Sequence, residues 1–251
     1  MRACVPQHFK WKESCVPSAR RPSKDSAAIR ARLAAHCLHD AQLEHASIEA
    51  FARTSLELLA FGAPPALVSE AHQAALDEIS HARVTFALAS AYAGTELGPQ
   101  AFSEAKRMAP ATDLATWAHE TIEDGCLGET IAAAEAHAAA QQSEDPVVRD
   151  VLLGIAEDET RHAELAWKIL RFALQAGGEE VAAVARTVLA TLAVRKLSPS
   201  DDRNEDLIQH GILGEQASAC LRTEVMNAVV QPCLERLLQT RPREACEVRA
   251  L

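Results

Sequence analysis

Two short segments of the sequence each carry a glutamate followed by a histidine three residues later. They read Leu-Asp-Glu-Ile-Ser-His and Glu-Asp-Glu-Thr-Arg-His, and they pair Glu78 with His81 and Glu159 with His162. Three residues are close to one helical turn, so on a helix each carboxylate and imidazole point to the same side. Oxygen and nitrogen donors on one face are suited to hold a metal ion. The two segments therefore indicate two halves of a metal site.

A further glutamate precedes each pair at nearly the same distance. Glu49 lies 29 residues before Glu78, and Glu129 lies 30 residues before Glu159. An antiparallel helical hairpin places residues at equal distances from its turn side by side, so each set meets within its own hairpin. The sequence thus predicts six metal ligands: Glu49, Glu78, His81, Glu129, Glu159 and His162.

The predicted ligand set also indicates which metal it holds. Four buried carboxylates without partners would repel one another and be costly to desolvate, and two divalent cations would neutralise them. Mixed oxygen and nitrogen donors without thiolates favour iron or manganese over structural zinc. We therefore expect two iron ions, with Mn/Fe or Mn/Mn as the alternatives.

Other candidates lie close to the predicted ligands. Glu44 precedes Glu49 by five residues, and Glu120 and Glu123 precede Glu129 by nine and six. These spacings point to a different face of a helix, so we set the three aside as ligands.

One histidine lies beside the predicted ligands. His45 precedes Glu49 by one helical turn, which makes it a candidate proton donor or additional ligand. An ordinary, partly buried histidine is the alternative interpretation.

The elements that must position these residues are helical. Alanine is abundant and glycine and proline are sparse, which predicts an all-α fold. Four long helices are expected, followed by two further helical segments: 26–60, 66–93, 113–142, 146–176, 179–196 and 212–239. The corresponding division is a basic N-terminal tail (1–25), a four-helix unit (26–176) and a C-terminal helical extension (177–251).

The connections between the four long helices differ in length. Two short connections flank one long break over residues 95–112. A single long crossover between two hairpins is the arrangement of ferritin-like four-helix bundles.

With these ligands and this connectivity, the chain resembles the ferritin-like di-iron carboxylate superfamily over roughly residues 30–176. The segment Asp-Glu-Thr-Arg-His that begins at Asp158 also resembles a motif of bacterial multicomponent monooxygenases. That resemblance implies that Asp158, Arg161 and Asp77 orient the ligand histidines. Ser80 stands in the first segment where Arg161 stands in the second.

The resemblance implies three classes of function. The favoured one is a non-haem di-iron oxidase or oxygenase, with O2 as co-substrate, a small organic substrate and an electron donor. The alternatives are a ferroxidase, peroxide-handling or iron-storage protein, and a structural bundle that metals stabilise. An enzyme of this kind is expected to be a monomer or a small homo-oligomer.

Composition excludes other classes. The formal net charge of −10 leaves no basic surface for nucleic acid, and no apolar run is long enough to predict a membrane span. The seven cysteines include no Cys-x-x-Cys pair, so we expect reduced thiols in a cytoplasmic protein rather than a disulfide framework.

Overall fold

The computed structural model describes residues 26–100, 109–194 and 205–240, and within these ranges it contains helices and no strands. The predicted all-α fold is therefore confirmed for this part of the chain. The predicted N-terminal tail, residues 1–25, lies outside the described residues.

The first two helices form a hairpin. Helix α1 spans Ala27–Ala60, and helix α2 spans Pro65–Ala93. Ser26 caps α1 by accepting a hydrogen bond of 3.2 Å from the backbone N–H of Ile29. Gly94 ends α2 in the left-handed conformation, with φ of 70°.

The second hairpin is less regular. Its first arm, which we call the third bundle helix, consists of α3 (Leu114–Glu120), a π-helical segment (Thr121–Glu129) and α4 (Thr130–Gln142). Asp113 caps this arm by accepting from the backbone N–H of Thr116 at 2.7 Å.

The second arm of this hairpin is α5, which spans Pro146–Val194. Asp145 supports its first turn by accepting from the backbone N–H of Val147 at 2.8 Å. Gly178 has non-helical backbone angles (φ 55°, ψ −131°) and kinks the helix at the predicted break. The helix resumes directly after the kink, as the sequence predicts for residues 179–196.

The C-terminal segment adds α6 (Glu205–Ile208), α7 (Glu215–Val225), a short π-helical segment (Met226–Val230) and α8 (Gln231–Gln239). The main hydrophobic core joins this segment to both hairpins, with Val230 and Leu234 fully buried beside Trp117 and Leu170. The predicted C-terminal extension thus shares the core of the four long helices.

The hairpins meet mainly where α2 packs against α5, while the third bundle helix packs along α5. Among the described residues, no helix is sufficiently long and apolar to cross a bilayer.

Candidate metal centre

The side chains of α2 show how the fold presents a chemical site. Its buried residues recur at alternating steps of three and four, which is the pattern of a helix face turned to a core. The stripe consists of Leu67, Ala71, Ala74, Glu78, His81, Thr85, Leu88 and Tyr92. Glu78 and His81 therefore occupy core positions, and their side chains are 1% and 3% exposed.

His81 lies at the centre of one group of candidate ligands. Its Nδ1 atom is 3.5 Å from Glu44 Oε2, 3.6 Å from Glu78 Oε2 and 3.4 Å from Glu159 Oε1. Ligand atoms of these four residues all lie within 4.8 Å of one another. The group combines residues from α1, α2 and α5, so it exists only when the hairpins are packed together.

His162 lies in a second group beside the first. Its Nδ1 atom is 3.1 Å from Glu78 Oε1 and 3.3 Å from Glu159 Oε2. Glu129, Glu159 and His162 offer ligand atoms within 4.8 Å of one another. The rings of His81 and His162 are 6.0 Å apart. Glu78 and Glu159 each contact both imidazoles, so these two carboxylates connect the two groups.

The other ring nitrogen of each histidine faces an aspartate of the opposite hairpin. His81 Nε2 is 3.0 Å from Asp158 Oδ2, and His162 Nε2 is 3.4 Å from Asp77 Oδ2. Arg161 contacts both aspartates, at 3.3 Å for Asp77. A carboxylate on Nε2 orients an imidazole so that Nδ1 is left for a metal. The structure thus places all three residues beside the histidines that the resemblance assigns to them.

A single arginine therefore serves both halves of the site. Ser80, which occupies the matching position of the first segment, hydrogen-bonds the carbonyl of Leu76 in its own helix. The first segment has no arginine at this position. Arg161 of the second segment contacts Asp77 instead, across the interface between the two hairpins.

The carboxyl groups respond to burial in different ways. Desolvation raises the pKa of Glu44 to about 8 and raises that of Glu129 well above its ordinary range. Burial acts on Glu159 in the same direction, but the imidazoles of His162 and His81 beside it outweigh burial and hold the pKa of Glu159 well below its usual value.

The imidazoles are stabilised in the protonated form by the carboxylates around them. Burial lowers the pKa of His162, but hydrogen bonds to Glu159 and Glu78 outweigh it and raise the value to about 9. The same contacts, together with Glu44, raise the pKa of His81 strongly. Protons and metal cations therefore compete for this cluster, because either can compensate its negative charge.

The contribution of α1 differs from the sequence prediction. Our spacing argument placed Glu44 on a different face, whereas the structure brings it to His81. Glu49, the predicted ligand, is in neither group of ligand atoms, although its Oε1 atom is buried without a hydrogen-bond partner. Five residues correspond to about 140° around an α-helix, so Glu44 and Glu49 cannot face one site together.

A signal in the sequence could have found Glu44. It lies on the stripe of α1 that faces the core, at the same alternating spacing as the buried residues. The stripe consists of Ala41, Glu44, Ile48, Phe51, Ser55 and Leu58. Glu44 also lies as far from the turn between α1 and α2 as His81 does, which places the two side by side.

The two hairpins differ in structure around the glutamates that the prediction compared. The prediction matched Glu49 to Glu129 because both precede a Glu-x-x-His pair by a similar distance. Glu129, however, is the last residue of a π-helical segment, whereas α1 is α-helical throughout. The structure brings Glu44 rather than Glu49 to the candidate ligands, and Glu44 precedes Glu78 by 34 residues whereas Glu129 precedes Glu159 by 30. The single glutamates of the two groups are therefore not equally spaced from their Glu-x-x-His pairs.

Three other candidates lie around the site without joining the two groups. Glu120 pairs with Arg53, at 3.1 Å between carboxylate and guanidinium. Glu123 lines a neighbouring cavity. His45 is half-buried, and burial lowers its pKa. A role of His45 as proton donor or ligand remains a prediction.

The residues present fit a pair of metal ions. Glu78 Oε2 and His81 Nδ1 are buried polar atoms without a hydrogen-bond partner, which is costly unless a cation binds them. The two groups together supply carboxylate oxygens and imidazole nitrogens, the donors that iron and manganese prefer. Glu78 and Glu159, which contact both imidazoles, are almost completely buried.

A cavity of about 340 Å³ opens beside the centre, between α1, the third bundle helix and α5. Glu129 and His162 form part of its wall, and Phe51, Trp117, Leu165 and Ile169 line it with apolar surface. A molecule in this cavity would therefore reach the candidate ligands without crossing the protein core.

Comparison with known proteins gives no match to a family model, to a curated protein or to a solved structure. The case for a site in this chain therefore rests on the positions and chemistry of its own side chains.

Proposed function

We propose that this chain is a ferritin-like four-helix bundle that holds two metal ions, preferentially iron, and uses O2 to oxidise a small organic substrate. One observation carries the proposal: four carboxylates and two imidazoles from four helices converge in two adjoining groups. Ferritin-like di-iron proteins draw one glutamate from each of two helices and Glu-x-x-His from each of the other two. Glu44 and Glu129 supply the single glutamates of that scheme.

The contacts of the carboxylates with the imidazoles indicate which residues would hold each of the two metal ions. Glu44 and His81 would hold one ion, and Glu129 and His162 would hold the other. Glu78 and Glu159 would contact both, because each lies against both imidazoles. A reduced iron pair supplies the electrons with which O2 is activated.

The surrounding residues have the properties such chemistry requires. Asp158 and Asp77 accept hydrogen bonds on Nε2 of the imidazoles, which keeps each ring in one orientation. Phe51 packs against His162, with ring centroids 4.9 Å apart, and places apolar surface beside the imidazole. The adjacent cavity provides room for an organic molecule next to Glu129.

A ferroxidase is the second candidate. Glu57, Glu120, Glu123 and Asp124 line the same cavity, and carboxylates attract iron ions as well as organic cations. In this alternative iron itself is the substrate, and the cavity is its route to the centre.

Metal content and O2 uptake test the proposal together. Protein expressed with added iron is expected to hold two ions per chain, and chemically reduced protein is expected to consume O2. Glu78→Ala and His162→Ala should each lose metal while keeping helical circular dichroism. Glu164→Gln, a change at an exposed position of α5, is the matched control and should retain both ions.

Two outcomes separate the candidates. O2 uptake that stops after the bound iron is oxidised, and resumes only with a reductant, supports an oxidase. Continued oxidation of added iron(II) supports a ferroxidase. Fewer than one ion per chain, or full metal content in both alanine variants, would contradict the metal centre itself.

A further inference from the structure

The cavity beside the candidate metal centre has an apolar and partly aromatic wall. Phe51 and Trp117, which line it, are only 8% and 2% exposed. Phe61 stacks on Trp117 with centroids 5.0 Å apart, which holds the indole in place. Leu165 and Ile169 of α5 complete this wall. Such a surface favours a ligand that has an apolar body of its own.

The ionisable side chains around the cavity are predominantly acidic. Apart from the candidate ligands, Glu57, Glu120, Glu123 and Asp124 line it, against the single cation of Arg53. Arg53 Nη1 lies 3.1 Å from Glu120 Oε2, so a carboxylate already compensates its charge. The field in the cavity therefore attracts cations and repels anions.

The two kinds of wall together select the class of ligand. A bare metal ion gains nothing from aromatic and aliphatic surface, because it requires oxygen or nitrogen donors around it. A neutral apolar molecule gains no attraction from the negative field of the acidic side chains. An ammonium group on an apolar body uses both walls, and aromatic ring faces add a further attraction for the cation.

We propose that this cavity binds a small organic cation, consisting of an ammonium group on an apolar body, next to Glu129 and His162. The inference rests on the proposed function for the oxidation that would follow. The binding step itself depends on the cavity alone.

Gly128 gives a steric means of testing the location. It lines this cavity and also a neighbouring open cleft between the π-helical segment, α4 and Arg222 of α7. A Cβ atom at Gly128 would meet only the carbonyl oxygen of Glu123, at an ordinary distance of 3.6 Å. A larger side chain is therefore tolerated by the helix and changes the lining of the cavity.

The experiment is isothermal titration calorimetry of the iron-loaded protein with three probes of similar shape. They are 2-phenylethylammonium, neutral 2-phenylethanol and anionic 3-phenylpropionate. We expect the cation to bind at least about tenfold more tightly than the anion, because opposite charges experience the same field with opposite sign.

Four variants locate the binding. Asp124→Asn is expected to weaken binding of the cation by about threefold to tenfold, and Arg53→Met is expected to strengthen this binding by a similar factor. Gly128→Leu is expected to weaken binding of the cation, because the added side chain alters the wall of the cavity. Glu164→Gln removes an exposed carboxylate outside the cavity lining and should leave the affinity unchanged.

Three results would overturn the inference. The first is that 3-phenylpropionate binds more tightly than the cation and that Arg53→Met abolishes this binding. The second is that the Gly128→Leu variant binds the cation as tightly as the unaltered protein. The third is that Asp124→Asn and Glu164→Gln weaken binding of the cation equally. Metal content measured on the same samples separates this inference from the proposed function. Two irons without cation binding refute the cavity proposal alone, whereas cation binding without metal supports the cavity and contradicts the metal centre.

Discussion

The two hairpins carry the same chemical motif on different backbones. The first is α-helical throughout, and its glutamate partner, Glu44, lies at the level of His81. The second reaches its partner, Glu129, through nine π-helical residues. Both nevertheless deliver one glutamate and one Glu-x-x-His pair to the same centre. Similar functional groups can thus be brought together although the helices that present them differ.

The arms of the second hairpin approach closely at one glycine. In the second hairpin, a Cβ atom added at Gly125 of the π-helical segment would lie 2.7 Å from Cβ of Ala166 in α5. Only glycine permits this contact without a shift of one helix. The π-helical register and the close approach therefore occur in the same stretch, just before Glu129.

Removing a carboxylate that contacts both imidazoles is expected to have the largest effect on metal content. Glu159 contacts both imidazoles, so Glu159→Ala should lose both metal ions. Glu44→Ala should lose only the ion beside His81, and Glu49→Ala should retain two. Metal analysis of purified protein measures all three. Full metal content in Glu44→Ala combined with loss in Glu49→Ala would restore the assignment made from spacing.

The close approach in the second hairpin is open to a stability test. Gly125→Ala should reduce the free energy of unfolding by about 1–3 kcal/mol, because the added methyl group overpacks the contact with Ala166. Gly154→Ala is the matched control on α5, where a Cβ atom has open space. It should stabilise the protein by about 0.5–1 kcal/mol through helix propensity. Urea denaturation compares them, and equal effects would refute the role of the contact.

The smallest effect on metal binding is expected from removing Arg161, the arginine that contacts both aspartates. Arg161→Ala should weaken iron binding by about tenfold, because it releases Asp77 and Asp158 from a common partner. Ser80→Ala should have no effect, since that hydroxyl bonds only to its own helix among the described contacts. Competition with a chelator measures both affinities. If the two variants bind iron equally well, the shared arginine has no part in orienting the histidines.

The sequence was sufficient for the helices and for most of the site. Ser26, Gly94 and Asp113 mark helix ends by their chemistry, and the structure places ends there. The Glu-x-x-His pairs could be recognised in the sequence because their spacing keeps two donors on one face of a helix. Five of the six predicted ligands meet in the two groups of ligand atoms.

The choice between Glu44 and Glu49 and the backbone irregularity required the structure. Glu44 and Glu49 both lie on α1, and choosing between them depends on which face of the helix packs inward. The core-facing stripe of α1 contains that information, but a comparison of motif spacings ignores it. The π-helical segment has no comparable signal, because its register depends on contacts such as that between Gly125 and Ala166.

The crossed pairing of histidines and aspartates has a consequence for the order of assembly. His81 of the first hairpin is oriented by Asp158 of the second, and His162 of the second by Asp77 of the first. Neither hairpin, alone on the ribosome or in a partly folded chain, presents an oriented imidazole. If the chain holds metal as proposed, high-affinity uptake would follow the docking of the two hairpins, and a chain that fails to dock them would not retain metal.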